Sequence, residues 1–133
     1  MPHRLHPIVA ARARHRCEYC LAPERVSNLE FEVEHVVPLA AGGSGDLENL
    51  ALACRACNVR KSHAVAAVDL LTGERVRLFN PRLDDWAEHY RLLLDGKIEG
   101  RTRVGRATVG RLAMNREQAV RARLLWLASR LMD

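Results

Sequence analysis

Two cysteine pairs in this sequence have the spacing of metal ligands. Cys17 and Cys20 form one Cys-x-x-Cys turn, and Cys54 and Cys57 form another. Each turn presents two thiolates on one side, and two such turns complete a tetrahedron around Zn²⁺. Four protein ligands leave no open position on the ion, so this zinc would be structural. The 33 residues between the pairs exceed what a minimal zinc ribbon needs. In and just after that insertion stand Glu34, His35, Asn49 and Asn58, around the loop "PLAAGGSGD". These types suit phosphodiester hydrolysis, which needs a base to activate water and a cation to stabilise the transition state and the leaving oxygen. An imidazole titrates near neutrality and fits the first task. A carboxylate is a hard oxygen ligand for Mg²⁺ or Mn²⁺ and fits the second. Asn58 directly follows Cys57, so a zinc on that cysteine would fix where the asparagine points. Singly, each residue has an ordinary explanation: a packed histidine, a helix cap, a turn, a solvated strand. The argument rests on their occurring together.

The order of features is Cys-x-x-Cys, an acid-His pair, Pro38, a glycine-rich loop, Asn49-Leu50, then Cys-x-x-Cys-Asn-x-x-Lys. Over residues 17–62 it resembles the HNH endonuclease family in its four-cysteine form. The segments "LFNPRLDDWAEHY" and "GRATVGRLAMNR" also resemble C-terminal stretches of bacterial HNH proteins. The resemblance implies that Glu34 and Asn58 hold a catalytic divalent metal and that His35 is the general base. It implies that Asn49 braces the loop and orients His35 through backbone contact. It implies products with 5′-phosphate and 3′-hydroxyl ends. Asn58 stands where the family's name pattern has its last histidine, which shifts the expected metal toward Mg²⁺ or Mn²⁺. One geometric condition follows. Neighbours on a regular strand face opposite ways, so Glu34 and His35 share a site only if the strand ends or bends there, as Pro38 and the glycines permit.

The elements must deliver these residues. Residues from about His6 to Arg16 read as a helix, with Ile8, Val9, Ala10 and Ala13 as its apolar face. Leu29, Phe31 and Val33 alternate like a half-buried strand. "DLENLALA" returns to the second cysteine pair, and "NVRKSHAVAAV" reads as a helix. "LLTGERVRLF" suggests a hairpin turning at Thr72-Gly73, and "DDWAEHYRLLL" a helix with Trp86, Tyr90 and Leu93 on one side. A short strand is expected near Ile98. The last helix, "NREQAVRARLLWLASRLM", has Asn115 as candidate cap and Val120, Leu124, Leu127 and Leu131 as its apolar stripe. The stripe suits the core or, less well, a dimer seam.

Charge points to a polyanion. The chain carries +5 net, and of 21 basic residues only Lys61 and Lys97 are lysines. Guanidinium forks bind two phosphate oxygens at once. Residues 101–123 hold seven arginines against one acid, Glu117. Arg60, Lys61, Arg101, Arg103, Arg106 and Arg111 are the candidate nucleic-acid contacts. His3, His6, His15 and His89 read as surface or packing residues; His63, five residues past Asn58, would approach the metal or phosphate only if the helix is regular. No segment has the length of a membrane span or a signal sequence. The expectation is a cytoplasmic protein with reduced thiols, a monomer or homodimer, with no organic cofactor.

The sequence thus predicts one α+β domain over residues 1–133. Its ββα-metal core, of the HNH or His-Me finger type, covers about 15–65 with a structural zinc clasp, and residues 66–133 add a hairpin and helical wrap. The predicted function is metal-dependent cleavage of DNA, with RNA still open as a substrate. The rival is a non-catalytic zinc-ribbon module that binds nucleic acid or protein and gives no reason for Glu34, His35 and Asn58 to converge.

Overall fold

The computed structural model describes residues 3–133. Met1 and Pro2, part of the signal-free N-terminal reading, lie outside them. The fold is mixed α and β, with three small two-stranded antiparallel sheets. β1 (Glu32–His35) pairs with β2 (Leu50–Ala53), Glu32 opposite Ala53 and His35 opposite Leu50. Every residue of β2 is buried. α1 (His6–Arg12) lies across this hairpin and inserts Val9 and Ala10, both fully buried. α2 (Arg55–Lys61) follows β2 after one residue and packs back on both strands.

Several expected boundaries move, for identifiable reasons. α1 stops at Arg12 and not near Arg16, because Arg14 and His15 both take φ 55, which no helix continues. Leu29 is 65% exposed, so the buried face of the first strand is not the Leu29–Phe31–Val33 row. Phe31 enters the core, but within β1 the buried residue is Glu34. α2 ends at Lys61 because Ser62 takes φ 51. The apolar run beyond it becomes β3 (Ala66–Val68), paired with β4 (Arg75–Arg77). That hairpin does turn at Thr72-Gly73, with Gly73 at φ 76.

The hairpin is held by Asp69, which is fully buried. Its carboxylate accepts two bonds from the Arg106 guanidinium at 3.0 and 2.9 Å and one from Thr72 at 2.9 Å. The Arg106 bonds, more than any other contact, hold its pKa down to about 2 from an ordinary 3.8. A carboxyl depressed by folding stabilises the fold above its unfolded pKa and loses that effect as pH falls through the folded value. The hairpin is therefore expected to loosen between about pH 4 and 2. Amide exchange of Leu71 and Gly73 followed against pH should show this, and Arg106→Met should move the midpoint upward.

The long helix expected over "DDWAEHYRLLL" is a single turn, α3 (Trp86–His89), followed by β5 (Tyr90–Leu92). Trp86 is anchored by its indole N–H to the Tyr19 carbonyl at 2.9 Å, while Tyr90 stacks edge-on against Phe79 with ring centroids 5.0 Å apart. The chain extends after His89, and β5 pairs with β6 (Ile98–Gly100), the strand expected near Ile98. α4 (Arg103–Arg111) is capped by the Thr102 hydroxyl accepting from Gly105 N at 3.0 Å. A Cβ at Gly105 would lie 2.0 Å from the His89 carbonyl oxygen, so only glycine lets α4 cross there.

α5 (Glu117–Ala128) is present, but Asn115 does not cap it. Its amide instead exchanges two 2.8 Å bonds with the backbone of Ile98. The stripe also fails as core: Leu124 and Leu131 are 41% and 40% exposed, while Arg123 is buried. The guanidinium of Arg123 donates to the carbonyls of Gly96 and Met114 and to the Asn115 side chain. One apolar cluster runs through both halves of the chain, joining Val9, Leu50 and Leu52 to Phe79, Ile98 and Met114. Among the described residues no helix is long and apolar enough to cross a membrane.

Candidate functional site

The four cysteines come together as expected. Their sulfurs all lie within 4.8 Å of one another, and none forms a disulfide. Cys20 and Cys54 Sγ are 3.7 Å apart. That matches the edge of about 3.8 Å in a tetrahedron with Zn–S near 2.3 Å. Backbone amides of Cys20 and Cys57 donate to Cys17 and Cys54 Sγ, each at 3.5 Å, so each Cys-x-x-Cys turn directs its own thiolate. The cysteines are thus positioned to hold a metal ion such as zinc. Cys54 is also the N-cap of α2, which ties the start of that helix to the clasp.

β1 runs through both Glu34 and His35, opposite Ala51 and Leu50, and the chain bends only at Val36 and Val37, so the bend expected between the acid and the histidine is not there. Glu34, His35 and Asn58 line one cleft of about 410 Å³, together with Ser62 and His63. The cleft's other wall is Val33, Pro38, Leu39 and Ala40. Asn49 bridges the loop behind it. Its Oδ1 accepts from Val37 N at 2.9 Å, and its Nδ2 donates to the carbonyls of Val37 at 2.9 Å and Ser44 at 2.7 Å. A Cβ at Gly43 would fall 1.8 Å from the Val37 oxygen, so the glycine loop is what brings the backbone this close.

Glu34 is nearly buried, and its carboxylate meets the Tyr19 hydroxyl and, at 3.5 Å, Lys61 Nζ. Burial raises its pKa, opposed by Lys61 and the tyrosine. Lys61 is only 1% exposed and donates to the Val36 carbonyl at 2.8 Å. It is thus no surface phosphate contact, contrary to the sequence reading. It pins the residue after His35 and neutralises Glu34. Asn58 gives its Nδ2 to Glu32, which also pairs with Arg55 at 2.8 Å. This leaves the Asn58 Oδ1, the atom a hard cation takes, turned from that bond. Both Glu34 oxygens are engaged, one by Tyr19 and one by Lys61, so the carboxylate would have to release one of these partners to hold a cation with the Asn58 amide oxygen. Sequence reasoning passed over Tyr19 and Glu32. The signal for Glu32 was its place two residues before Glu34, on the same face of the strand.

The expected basic contacts divide. Arg60 is exposed on α2. Arg101 and Arg103 are exposed, bonded to the Ala87 carbonyl and to Glu74. Arg106 is committed to Asp69. Arg111 sits on the C-terminal end of α2, with its Nε 3.1 Å from the Arg60 carbonyl, where a cation complements the helix dipole. Arg106 is therefore structural in this fold, while Arg111 stays exposed.

No curated protein and no solved structure matches the chain. Residues 17–64 match the family model described as HNH endonuclease. The match begins at the first cysteine of the clasp and ends one residue past His63. Around the four-cysteine clasp, residues 17–64 are thus similar to the HNH endonuclease family.

Proposed function

We propose that the protein is a metal-dependent endonuclease that hydrolyses phosphodiester bonds in DNA. The observation that carries this reading is the convergence of Glu34, His35 and Asn58 on one cleft. In this reading β1, β2 and α2 are the ββα-metal core, and residues 66–133 wrap it as a hairpin and helices. His35 takes a proton from the attacking water. Glu34 and Asn58 would hold Mg²⁺ or Mn²⁺, which would supply stabilisation of the charge on the phosphoryl and leaving oxygens. Asn49 fixes the backbone two residues beyond His35 and so orients the base. Arg60, Arg101 and Arg103 offer exposed guanidinium groups to the phosphate backbone. Reduced cysteines in the clasp accord with a cytoplasmic setting.

The test is incubation of zinc-loaded protein with supercoiled plasmid and Mg²⁺ or Mn²⁺, beside His35→Ala. The expected result is nicked or linear plasmid with wild type and a rate lower by roughly 10²–10⁴-fold in the variant, with unchanged zinc content. Retardation of plasmid by both proteins without cleavage by either would favour the zinc-ribbon binding module.

A further inference from the structure

The chain has six histidines, and four commit a ring nitrogen to the protein. His3 Nδ1 accepts from Leu5 N at 3.0 Å. His6 and His15 share the Glu24 carboxylate at 2.7 and 3.0 Å. His89 Nδ1 lies 2.6 Å from the Thr102 hydroxyl. His35 and His63 make no side-chain hydrogen bond among the described residues, and both line the same cleft. They reach it from different elements, His35 from the end of β1 and His63 from the turn after α2.

The backbone between α2 and His63 is unusual. Ser62 has φ 51 and ψ −128, a conformation in which a residue with a Cβ is strained. Ser62 stops the helix and lines the cleft beside His63. Strain of this kind gathers at functional sites, where the surrounding structure over-determines it.

We infer that His63 is a second catalytic histidine, the acid that protonates the leaving 3′ oxygen. This rests on the phosphodiesterase reading above. The water oxygen bonds to phosphorus as His35 removes its proton. The bond from phosphorus to the 3′ oxygen breaks, its electron pair goes to that oxygen, and the oxygen takes the proton of His63. Solvent then returns a proton to His63 and removes one from His35. In-line displacement puts the entering and leaving oxygens on opposite sides of phosphorus. His35 and His63 enter the one cleft from separate elements, as a base and an acid on opposite sides of phosphorus would.

The experiment compares two DNA duplexes of one sequence with zinc-loaded protein and Mn²⁺. One is all-oxygen, and the other has sulfur in place of the bridging 3′ oxygen at the cleaved position, a leaving group that needs no proton. His63→Ala and His63→Gln are expected to slow cleavage of the oxygen substrate by roughly 10²-fold or more and to change the sulfur substrate's rate less than about tenfold. His35→Ala should slow both. His63 is exposed, so neither variant should disturb the fold, and circular dichroism and zinc content verify that. Equal losses on the two substrates, or no loss on either, would overturn the assignment while leaving the nuclease reading intact. If wild-type protein cleaves neither duplex, the nuclease reading itself falls, and this inference with it.

Discussion

Serine in place of Cys57 is expected to unfold the whole chain, rather than merely weaken a surface site. Cys17 and Cys57 are 0% and 2% exposed, within the same cluster as Leu50 and Leu52. Their sulfurs join the turn after α1 directly to the start of α2. Structural zinc contributes about 10–16 kcal/mol of apparent binding free energy at neutral pH, as large as the whole stability of an ordinary domain, about 5–15 kcal/mol. Without the ion, four thiols crowd within 4.8 Å in an apolar setting. Chelation of the wild-type protein should abolish its helical circular dichroism in one cooperative step. Zinc should restore it, and Mg²⁺ should not. A metal-free protein that kept its thermal transition would refute the clasp's structural role.

Lys61→Met is expected to destabilise the zinc-loaded protein by about 3–5 kcal/mol, because it leaves one member of a buried ion pair uncompensated. Lys61 and Glu34 are 1% and 4% exposed, and the ammonium also satisfies the Val36 carbonyl. The methionine fills the space but can do neither. Glu34→Gln added to Lys61→Met should recover part of the loss, since the remaining buried group is then neutral. Urea denaturation of the four proteins in a double-mutant cycle measures the coupling. If the two losses simply added, Lys61 would be acting through packing and not through Glu34.

The candidate site was legible in the sequence because short-range spacing dictates it. Two Cys-x-x-Cys turns can close on one ion wherever the intervening chain returns, and Asn58 is tied to Cys57 by adjacency. What the spacing did not show is which partner each group takes. Lys61 reads like an exposed helix residue until β1 is laid against α2 and its ammonium meets Glu34. The second half was harder to read because tertiary contacts overrode helix propensity. Tyr90 continues an apolar helical pattern from Trp86, yet the aromatic cluster around Phe79 takes both rings only if the chain extends after His89. "GRTRVGR" has no apolar stripe to announce α4. Its helix depends on a threonine cap and on a glycine that permits close crossing.

The buried guanidinium of α5 has a consequence for how the C-terminal part is fastened. Arg123 is 1% exposed, and its hydrogen-bond partners are carbonyls and an amide, with no carboxylate among them. Burial lowers its pKa, and the sulfurs of Cys20, Cys57 and Cys54 act in the opposite sense. Four thiolates around a divalent ion would carry a net charge of two minus. Arg123 supplies one positive charge from the far end of the sequence, and both Cys54 and Cys20 share a pocket wall with it. The last helix is thus fastened by a buried guanidinium that bonds the Gly96 and Met114 carbonyls, while Leu124 and Leu125 stay exposed.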